Sequence, residues 1–145
     1  MPKRYIAALA IAGTVFAALF GLLAISIEMA RRSWIEALAA AMPIVLSLAC
    51  MNIVLLAVGV GPLIAWMCAR STQRCWWRAA LLGAGNGGVY VLVSWLMFAE
   101  RDETILAMVR FWARVPGELL MHLVPSAAAG LAFGAWLGSG RRIAG

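Results

Sequence analysis

The stretch LLMHLVPSAAAGLAFGAWLG, residues 119–138, is twenty residues long and holds no Lys, Arg, Asp or Glu. A helix needs about 20 apolar residues to cross the hydrocarbon core of a bilayer. Along this stretch Ser126, Gly130, Gly134 and Gly138 recur every four residues. Small residues at that spacing let two helices approach closely in lipid. The stretch therefore predicts a membrane-spanning helix that packs tightly on another helix, either within the chain or in a partner.

Three upstream segments are similarly apolar and predict spans at about 5–27, 43–68 and 79–99. The first could be a signal peptide, but its apolar run exceeds the usual 7–15 residues and lacks a clear cleavage motif. We interpret it as a retained helix. Its own small residues, Gly13, Ala17 and Gly21, again have a four-residue spacing and predict a second close helix contact.

The apolar region that contains the second span is too long for one upright helix. It runs from Trp34 to Ala69 with Glu36 as its only charged residue, and an α-helix rises 1.5 Å per residue. Proline is tolerated in the first turn of a helix, so we expect a surface segment at about 28–42 and a span that begins at Pro43. The alternative is one helix broken or re-entrant at 59–62, where the chain reads Gly-Val-Gly-Pro.

The segment 100–118 carries too many charges to span a bilayer. Its apolar residues follow helical spacing, with Arg110 and Arg114 on another face, which is typical of an amphipathic helix on a membrane surface. We predict a docking surface for a partner on the outer side, formed by Arg110, Trp112, Arg114, Glu118 and His122.

Composition agrees with these spans. The 145 residues are 65% hydrophobic and 12% charged, with a net charge of +6, whereas soluble domains are about 45–50% apolar and 25% charged. The sequence thus predicts an all-α integral membrane protein: a single domain, 1–145, forming a four-transmembrane-helix bundle with interfacial amphipathic segments on the outer face. Basic residues that flank membrane helices explain the charge, so no nucleic-acid partner is expected.

The distribution of charge predicts orientation. With the N-terminus inside, seven basic residues fall in cytoplasmic segments and five outside, while all six acidic residues fall outside. Basic residues are retained on the cytoplasmic side of membrane proteins. We therefore expect a bacterial inner-membrane protein with both termini in the cytoplasm.

Two asparagines lie within the apolar spans, Asn52 and Asn86. Polar side chains at membrane depth usually bond to a neighbouring helix, and the alternative is a polar pathway for a substrate. Asn86 also belongs to a GxGxxG pattern at 83–88. A dinucleotide site needs that pattern between a strand and a helix, so here we expect only close packing and no cofactor.

Residues suited to catalysis or metal binding are scarce. His122 is the only histidine, with Glu118 one helical turn before it, and the cysteines Cys50, Cys68 and Cys75 form no CxxC pair. We interpret the first pair as interfacial, although a proton relay is the alternative, because ionisable groups within membranes are often functional. The sequence therefore predicts a protein that is not an enzyme and holds no metal.

Three hypotheses for function remain at this level. The first is an accessory or assembly subunit that acts through helix contacts within a larger membrane complex. The second is a small transporter or channel subunit, alone or as a homo-oligomer, with Asn52 and Asn86 lining the pathway of the transported species. The third is an envelope immunity or exclusion protein that binds a toxin or incoming machinery. In each case the partners are the lipid bilayer and other membrane proteins or further copies of the chain.

Overall fold

The regular structure is entirely helical over the residues that the computed structural model describes, which are 2–30, 33–70, 76–98, 107, 110, 113–114 and 116–139. In chain order the elements are α1 (Pro2–Met29), α2 (Trp34–Leu55), a π-helical turn (Leu56–Val60), α3 (Gly61–Arg70), α4 (Trp76–Ala84), α5 (Asn86–Phe98) and α6 (Pro116–Ser139). Most of the predicted surface segment 100–118 lies outside the described residues, so that expectation stays a prediction.

Four helical stretches are long and apolar enough to cross a membrane. They are Lys3–Ile27, Trp34–Arg70, Trp76–Met97 and Pro116–Ser139. The third is made of α4 and α5, which join at Gly85, where the Gly85 N–H donates to the carbonyls of Leu81 and Leu82 at 3.2 and 3.1 Å. Their number and composition are those of a membrane protein with four spans.

The second stretch begins earlier than the sequence predicted. Instead of a surface segment followed by a helix from Pro43, α2 starts at Trp34 and contains Pro43 in its interior. Its start is stabilised locally, because the Ser33 N–H donates to Glu36 Oε2 at 3.3 Å, and a carboxylate in the first turn also faces the positive end of the helix dipole. Proline inside a helix is tolerated more readily in membrane proteins than in soluble ones.

The π-helical turn explains how the chain stays helical through Gly59–Pro62. A proline ring clashes with the carbonyl four residues before it, and a π turn widens the helix at such a point. Here the Gly61 N–H donates to the carbonyl of Leu56, five residues back, rather than to that of Ala57. Pro62 has no N–H, so the Ala57 carbonyl receives neither of the usual backbone donors.

The hydroxyl of Tyr5 replaces the missing donor. It donates to the Ala57 carbonyl oxygen at 2.9 Å, across 52 residues of sequence. The Tyr5 ring also packs edge-on against Phe133 of α6, with 5.5 Å between ring centroids. Tyr5 thus connects α1 to the π turn and to α6.

Replacing Tyr5 with phenylalanine is expected to lower the free energy of unfolding by about 1–2 kcal/mol, because a partly buried carbonyl loses its donor while the ring contact is retained. The measurement is an unfolding titration in mixed micelles. In a Pro62→Ala background, which restores a backbone N–H at this turn, the same replacement should cost less. An equal cost in both backgrounds would contradict the role assigned to the hydroxyl.

Consecutive long helical stretches run in opposite directions, and α6 is the element that contacts most of the others. It packs against α1, α3, α4 and α5, while α1 also packs against α2. The side chain of Ile53 in α2 faces Gly13, and that of Val45 faces Gly21, so α1 and α2 are antiparallel. Along α6 and α1, Phe133 meets Tyr5 and His122 meets Phe20. One end of the structure therefore gathers the start of α1, the end of α3, the start of α4 and the end of α6.

The small residues of α6 pack on α4 and α5 within this chain. A Cβ on Gly130 would lie against the carbonyl oxygen of Gly83 and 2.6 Å from its carbonyl carbon. Gly134 meets the backbone of Ala79 in the same way, and a Cβ on Gly138 would lie 2.5 Å from the Trp76 Cα. Two helix backbones are in direct contact along this seam, with no room for a side chain between them.

Candidate functional site

A cluster of three polar side chains, Asn52, Asn86 and Ser126, lies in the interior of the protein. All three are fully buried. Asn52 Oδ1 accepts hydrogen bonds from Asn86 Nδ2 at 2.9 Å and from Ser126 Oγ at 2.7 Å. Asn86 Nδ2 also lies 3.2 Å from Ser126 Oγ. The cluster joins three helices, α2, α5 and α6, through one shared acceptor.

The cluster lies at the same depth in all three spanning stretches. Asn52 is the middle residue of Trp34–Arg70, Asn86 is the eleventh of the 22 residues Trp76–Met97, and Ser126 is the eleventh of the 24 residues Pro116–Ser139. A site at mid-span is the farthest from water that a spanning helix offers. Polar groups placed there must be satisfied by other groups in the protein or by bound molecules.

Glycines bring these side chains close enough to bond. Gly83 and Gly130 touch backbone to backbone one turn from Asn86 and Ser126, and Gly87 faces the backbone and side chain of Leu123. Asparagine and serine have short side chains, so their helices must approach closely for the groups to meet. Of the three glycines in the GxGxxG pattern at 83–88, Gly83 packs on another helix, whereas a Cβ on Gly88 would meet nothing within 4 Å.

A row of further polar side chains continues from the cluster towards the end of α5. Tyr90 is fully buried and Ser94 is 7% exposed, and both lie on the face of α5 that carries Asn86, since the three are spaced four residues apart. On α6, His122 precedes Ser126 by one turn, and its ring lies 6.0 Å from that of Tyr90. We call these six residues, Asn52, Asn86, Tyr90, Ser94, His122 and Ser126, the polar ladder.

Several polar atoms of the ladder have no hydrogen-bond partner among the described residues. They are Asn52 Nδ2, Asn86 Oδ1, Tyr90 Oη, Ser94 Oγ and His122 Nδ1. Tyr90 and Ser94 are close enough to interact electrostatically, but the geometry of a hydrogen bond between them is not met. Each buried polar atom left unpaired costs about 1–3 kcal/mol. Five such atoms in one row need an explanation beyond helix packing.

The residues predicted to form an outer docking surface do not all lie together. Arg110, Arg114 and Glu118 are exposed, and Trp112 lies outside the described residues. His122 instead faces the interior, with its ring 5.4 Å from that of Phe20 and its Nδ1 buried. His122 was expected at the membrane interface, but it lies in the polar ladder, because the first turns of α6 pack against α1 and α5.

Tyr90 and Ser94 were missed by the sequence analysis. Their signal is the four-residue spacing of Asn86, Tyr90 and Ser94 within an otherwise apolar helix. Such spacing places them on one face, opposite the aliphatic residues. Tyrosine is enriched at membrane–water interfaces, so its presence in an apolar segment does not by itself predict a buried position in the interior.

No metal-ligating set is present within the described part of the chain, where no three His, Cys, Asp or Glu side chains lie together.

Comparison of the chain with protein families, with curated proteins and with solved structures finds no match in any of the three. The polar ladder offers uncharged hydrogen-bonding groups and a single imidazole, all in the interior of the protein.

Proposed function

We propose that the protein is a non-catalytic multi-pass protein of the bacterial inner membrane that acts through helix contacts, as an accessory or assembly subunit of a larger membrane complex. The observation that carries this proposal is the closed seam between α4 and α6. Because the Gly83 and Gly130 backbones touch, there is no space for a route across the membrane between these two helices, which favours a packing role over a channel at this seam.

The outward-facing surface supports insertion in lipid. Leu22, Val58 and Leu96 are 66, 77 and 62% exposed, and each belongs to a different helical stretch. Large aliphatic side chains exposed on every stretch would aggregate in water. In a bilayer they contact lipid chains, while the small residues are used for packing inside the protein.

The antiparallel arrangement separates charge between the two ends of the structure. The end that gathers the start of α1 carries Lys3, Arg4, Arg70 and Arg78. There the guanidinium of Arg70 lies 4.3 Å from the centre of the Trp66 ring, and that of Arg78 lies 5.1 Å from the centre of the Trp77 ring. Basic and aromatic residues together are typical of a cytoplasmic membrane interface. We assign this end to the cytoplasm.

A reporter that is active on only one side of the membrane tests this orientation. Fused to either terminus, a cytoplasm-specific reporter is expected to be active and a periplasm-specific reporter inactive. The same reporters inserted after residue 30, between α1 and α2, should give the opposite result. Opposite signals from the two termini would overturn the four-span topology.

The partner should contact the end of the protein opposite to the cytoplasm, where Arg110, Arg114 and Glu118 are exposed. A photo-reactive amino acid at Arg110 or Arg114 is expected to cross-link one membrane protein in cells, and the same protein should co-purify in mild detergent at equal stoichiometry. Leu96, exposed in an apolar face near the end of α5, is the control position and should not cross-link it. A monomer that purifies alone and cross-links nothing would contradict the proposal.

A second candidate is a small transporter or channel subunit, and the polar ladder is the observation that favours it. Substrate sites in transporters lie near the middle of the bilayer, and at mid-span here Asn52 Nδ2 and Asn86 Oδ1 have no hydrogen-bond partner among the described residues. Flux measured with the purified protein in proteoliposomes discriminates between the accessory subunit and the transporter. A flux that is abolished by Asn52→Leu and Asn86→Leu would favour transport. A flux that these replacements leave unchanged would exclude the polar ladder as the transport pathway.

A further inference from the structure

A narrow crevice opens on the outward-facing surface of the protein, between α1, α2 and α6. Its volume is about 220 Å³. Every side chain that lines the crevice is apolar, and three of the lining residues are alanines. The residues around it include Phe20, Ala24 and Ile27 of α1, Ala40 and Ala41 of α2, and Met121 of α6. The crevice is therefore separate from the polar ladder and from the seam between α4 and α6.

The crevice exists because α1 and α2 are separated by unfilled space beyond a close approach. A Cβ on Gly21 would lie 3.8 Å from Cγ1 of Val45, which is ordinary van der Waals contact. About one turn further along α1, the residues that face the space are Ala24 and Ala41. Their methyl groups are too short to fill it, so the gap between the two helices remains open at this point.

The crevice lies in the half of the spans that is away from the cytoplasmic end. Phe20 and Ile27 are the 18th and the last of the 25 residues Lys3–Ile27. Met121 is the sixth of the 24 residues Pro116–Ser139, whose other end we assign to the cytoplasm. In that orientation the crevice faces the acyl chains of the outer leaflet.

The shape and lining of the crevice select its occupant. A void would lose dispersion contacts on every side, and water needs two to four polar partners when buried, which apolar side chains do not offer. One turn of a partner helix with its side chains occupies about 400 Å³, which is more than the crevice holds. An acyl chain is narrow and as apolar as leucine, so it fits where a helix and water do not.

Two carboxylates mark the outer end of the crevice. Glu36 precedes Ala40 by four residues in α2, and Glu118 precedes Met121 by three residues in α6. Residues three or four apart on a helix are neighbours on one face, so each carboxylate lies one turn beyond a residue that lines the crevice. Both glutamates are exposed. A cationic group at the end of the acyl chain would therefore meet two anionic groups of the protein.

The charges at this end match one kind of lipid headgroup. An ammonium group donates up to three hydrogen bonds, and carboxylates accept them. Arg114, four residues before Glu118 in the chain, is exposed, and a guanidinium is suited to a phosphate. A headgroup with a phosphate and a primary ammonium satisfies both kinds of charge, whereas a headgroup with a phosphate alone is repelled by the carboxylates.

We propose that the crevice between α1, α2 and α6 binds one acyl chain of a phosphatidylethanolamine molecule of the outer leaflet, with its ammonium group at Glu36 and Glu118 and its phosphate towards Arg114. This site rests on the membrane insertion proposed above. The bound lipid replaces the side chains that the three alanines do not supply, and it thereby completes the packing between α1 and α2.

Native mass spectrometry tests the site on protein equilibrated in mild detergent with equal amounts of phosphatidylethanolamine, phosphatidylglycerol and phosphatidylcholine. The wild type should retain one lipid per chain, with phosphatidylethanolamine in several-fold excess. Ala40→Phe fills the crevice and should reduce the retained lipid several-fold. Ala39→Phe, on the exposed face of α2, is the matched control and should retain lipid as the wild type does. No retained lipid in the wild type, or equal retention by both variants, would overturn the proposal.

A measurement on the wild-type chain leaves the crevice unaltered. The methyl group of Met121 is observed by ¹³C NMR in bilayers that contain a lipid with a nitroxide on its acyl chain. Nitroxide-labelled phosphatidylethanolamine should broaden this signal several-fold more than equally labelled phosphatidylcholine. Met42, which is 42% exposed on α2, should be broadened equally by both lipids. If Met121 also shows no difference between them, the selective site does not exist.

The double variant Glu36→Gln with Glu118→Gln tests the headgroup. Glutamine can replace glutamate at the third position of a capped helix, so α2 should still begin at Trp34. The variant should retain an acyl chain while its preference for phosphatidylethanolamine over phosphatidylcholine falls to about that of the mixture. Arg78→Gln, exposed at the cytoplasmic end, is the control and should keep the preference. An unchanged preference in the double variant would refute the proposed headgroup contacts.

The outcomes separate this proposal from the one on which it rests. A chain that fails the reporter assay above is not inserted in the membrane, and both proposals then fail. An inserted chain that cross-links its partner but retains no phosphatidylethanolamine refutes the lipid site alone.

Discussion

Gly130→Ala is expected to destabilise the protein strongly, by about 3 kcal/mol or more. The added Cβ would meet the Gly83 carbonyl oxygen directly and the Cβ of Asn86 at 3.1 Å. Overpacking normally costs about 1–3 kcal/mol when side chains can adjust, but here the obstacle is backbone, so α4 and α6 must separate. Unfolding in mixed micelles measures the loss, and separation should also weaken the bonds between Asn86 and Ser126.

Gly88→Ala is the matched control. Gly88 is a helical glycine in α5, but a Cβ there meets nothing within 4 Å. Alanine has a higher helix propensity than glycine by about 1 kcal/mol, so this variant should be as stable as the wild type or more so. If both replacements have equal effects, the contact between Gly83 and Gly130 does not determine the packing of α6.

Asn52→Leu is expected to lower the free energy of unfolding by about 1–3 kcal/mol, because two buried donors lose their common acceptor. Each hydrogen bond between membrane helices contributes about 0.6–1.7 kcal/mol. Asn86 Nδ2 and Ser126 Oγ are those donors. Ser47→Ala is the control, because its hydroxyl bonds only to the Pro43 carbonyl of its own helix and lies exposed.

The triple variant Asn52→Leu, Asn86→Leu, Ser126→Ala gives the sharper result. Replacing every partner in a buried cluster with apolar groups leaves no donor or acceptor unpaired. The triple variant should therefore be more stable than the sum of its single changes predicts, because the three residues act as one unit. Strict additivity would mean that the three side chains contribute independently, and the cluster would then not be cooperative.

Apolar length and small-residue spacing predict much of this fold. They locate four stretches that are long and apolar enough to cross a membrane, and they single out the four-residue repeat from Ser126 to Gly138, which packs along α4 and α5. They succeed because the thickness of the hydrocarbon core sets the apolar length of a membrane helix, and because close contact between two helix backbones requires small residues. Such rules do not say which helix a small face meets, since that depends on contacts between residues far apart in sequence.

Other features depend on individual hydrogen bonds, which the pattern of residue types does not show. Pro43 is a plausible helix start, but the bond between Ser33 and Glu36 already begins the helix at Trp34. Gly59–Pro62 is a plausible break, but a hydroxyl from Tyr5, distant in sequence, satisfies the carbonyl that a π turn leaves unpaired. In both cases hydrogen bonds decide between conformations that composition leaves equally open.

The Asn52–Asn86–Ser126 cluster also bears on the order in which the protein is made. Asn52 leaves the ribosome 34 residues before Asn86 and 74 residues before Ser126. At about 5–20 residues per second, the interval before Ser126 lasts about 4–15 s. Throughout that time the second span carries an amide whose partners do not yet exist. We therefore expect the cluster, and with it the core, to be completed only when the last helix has been made.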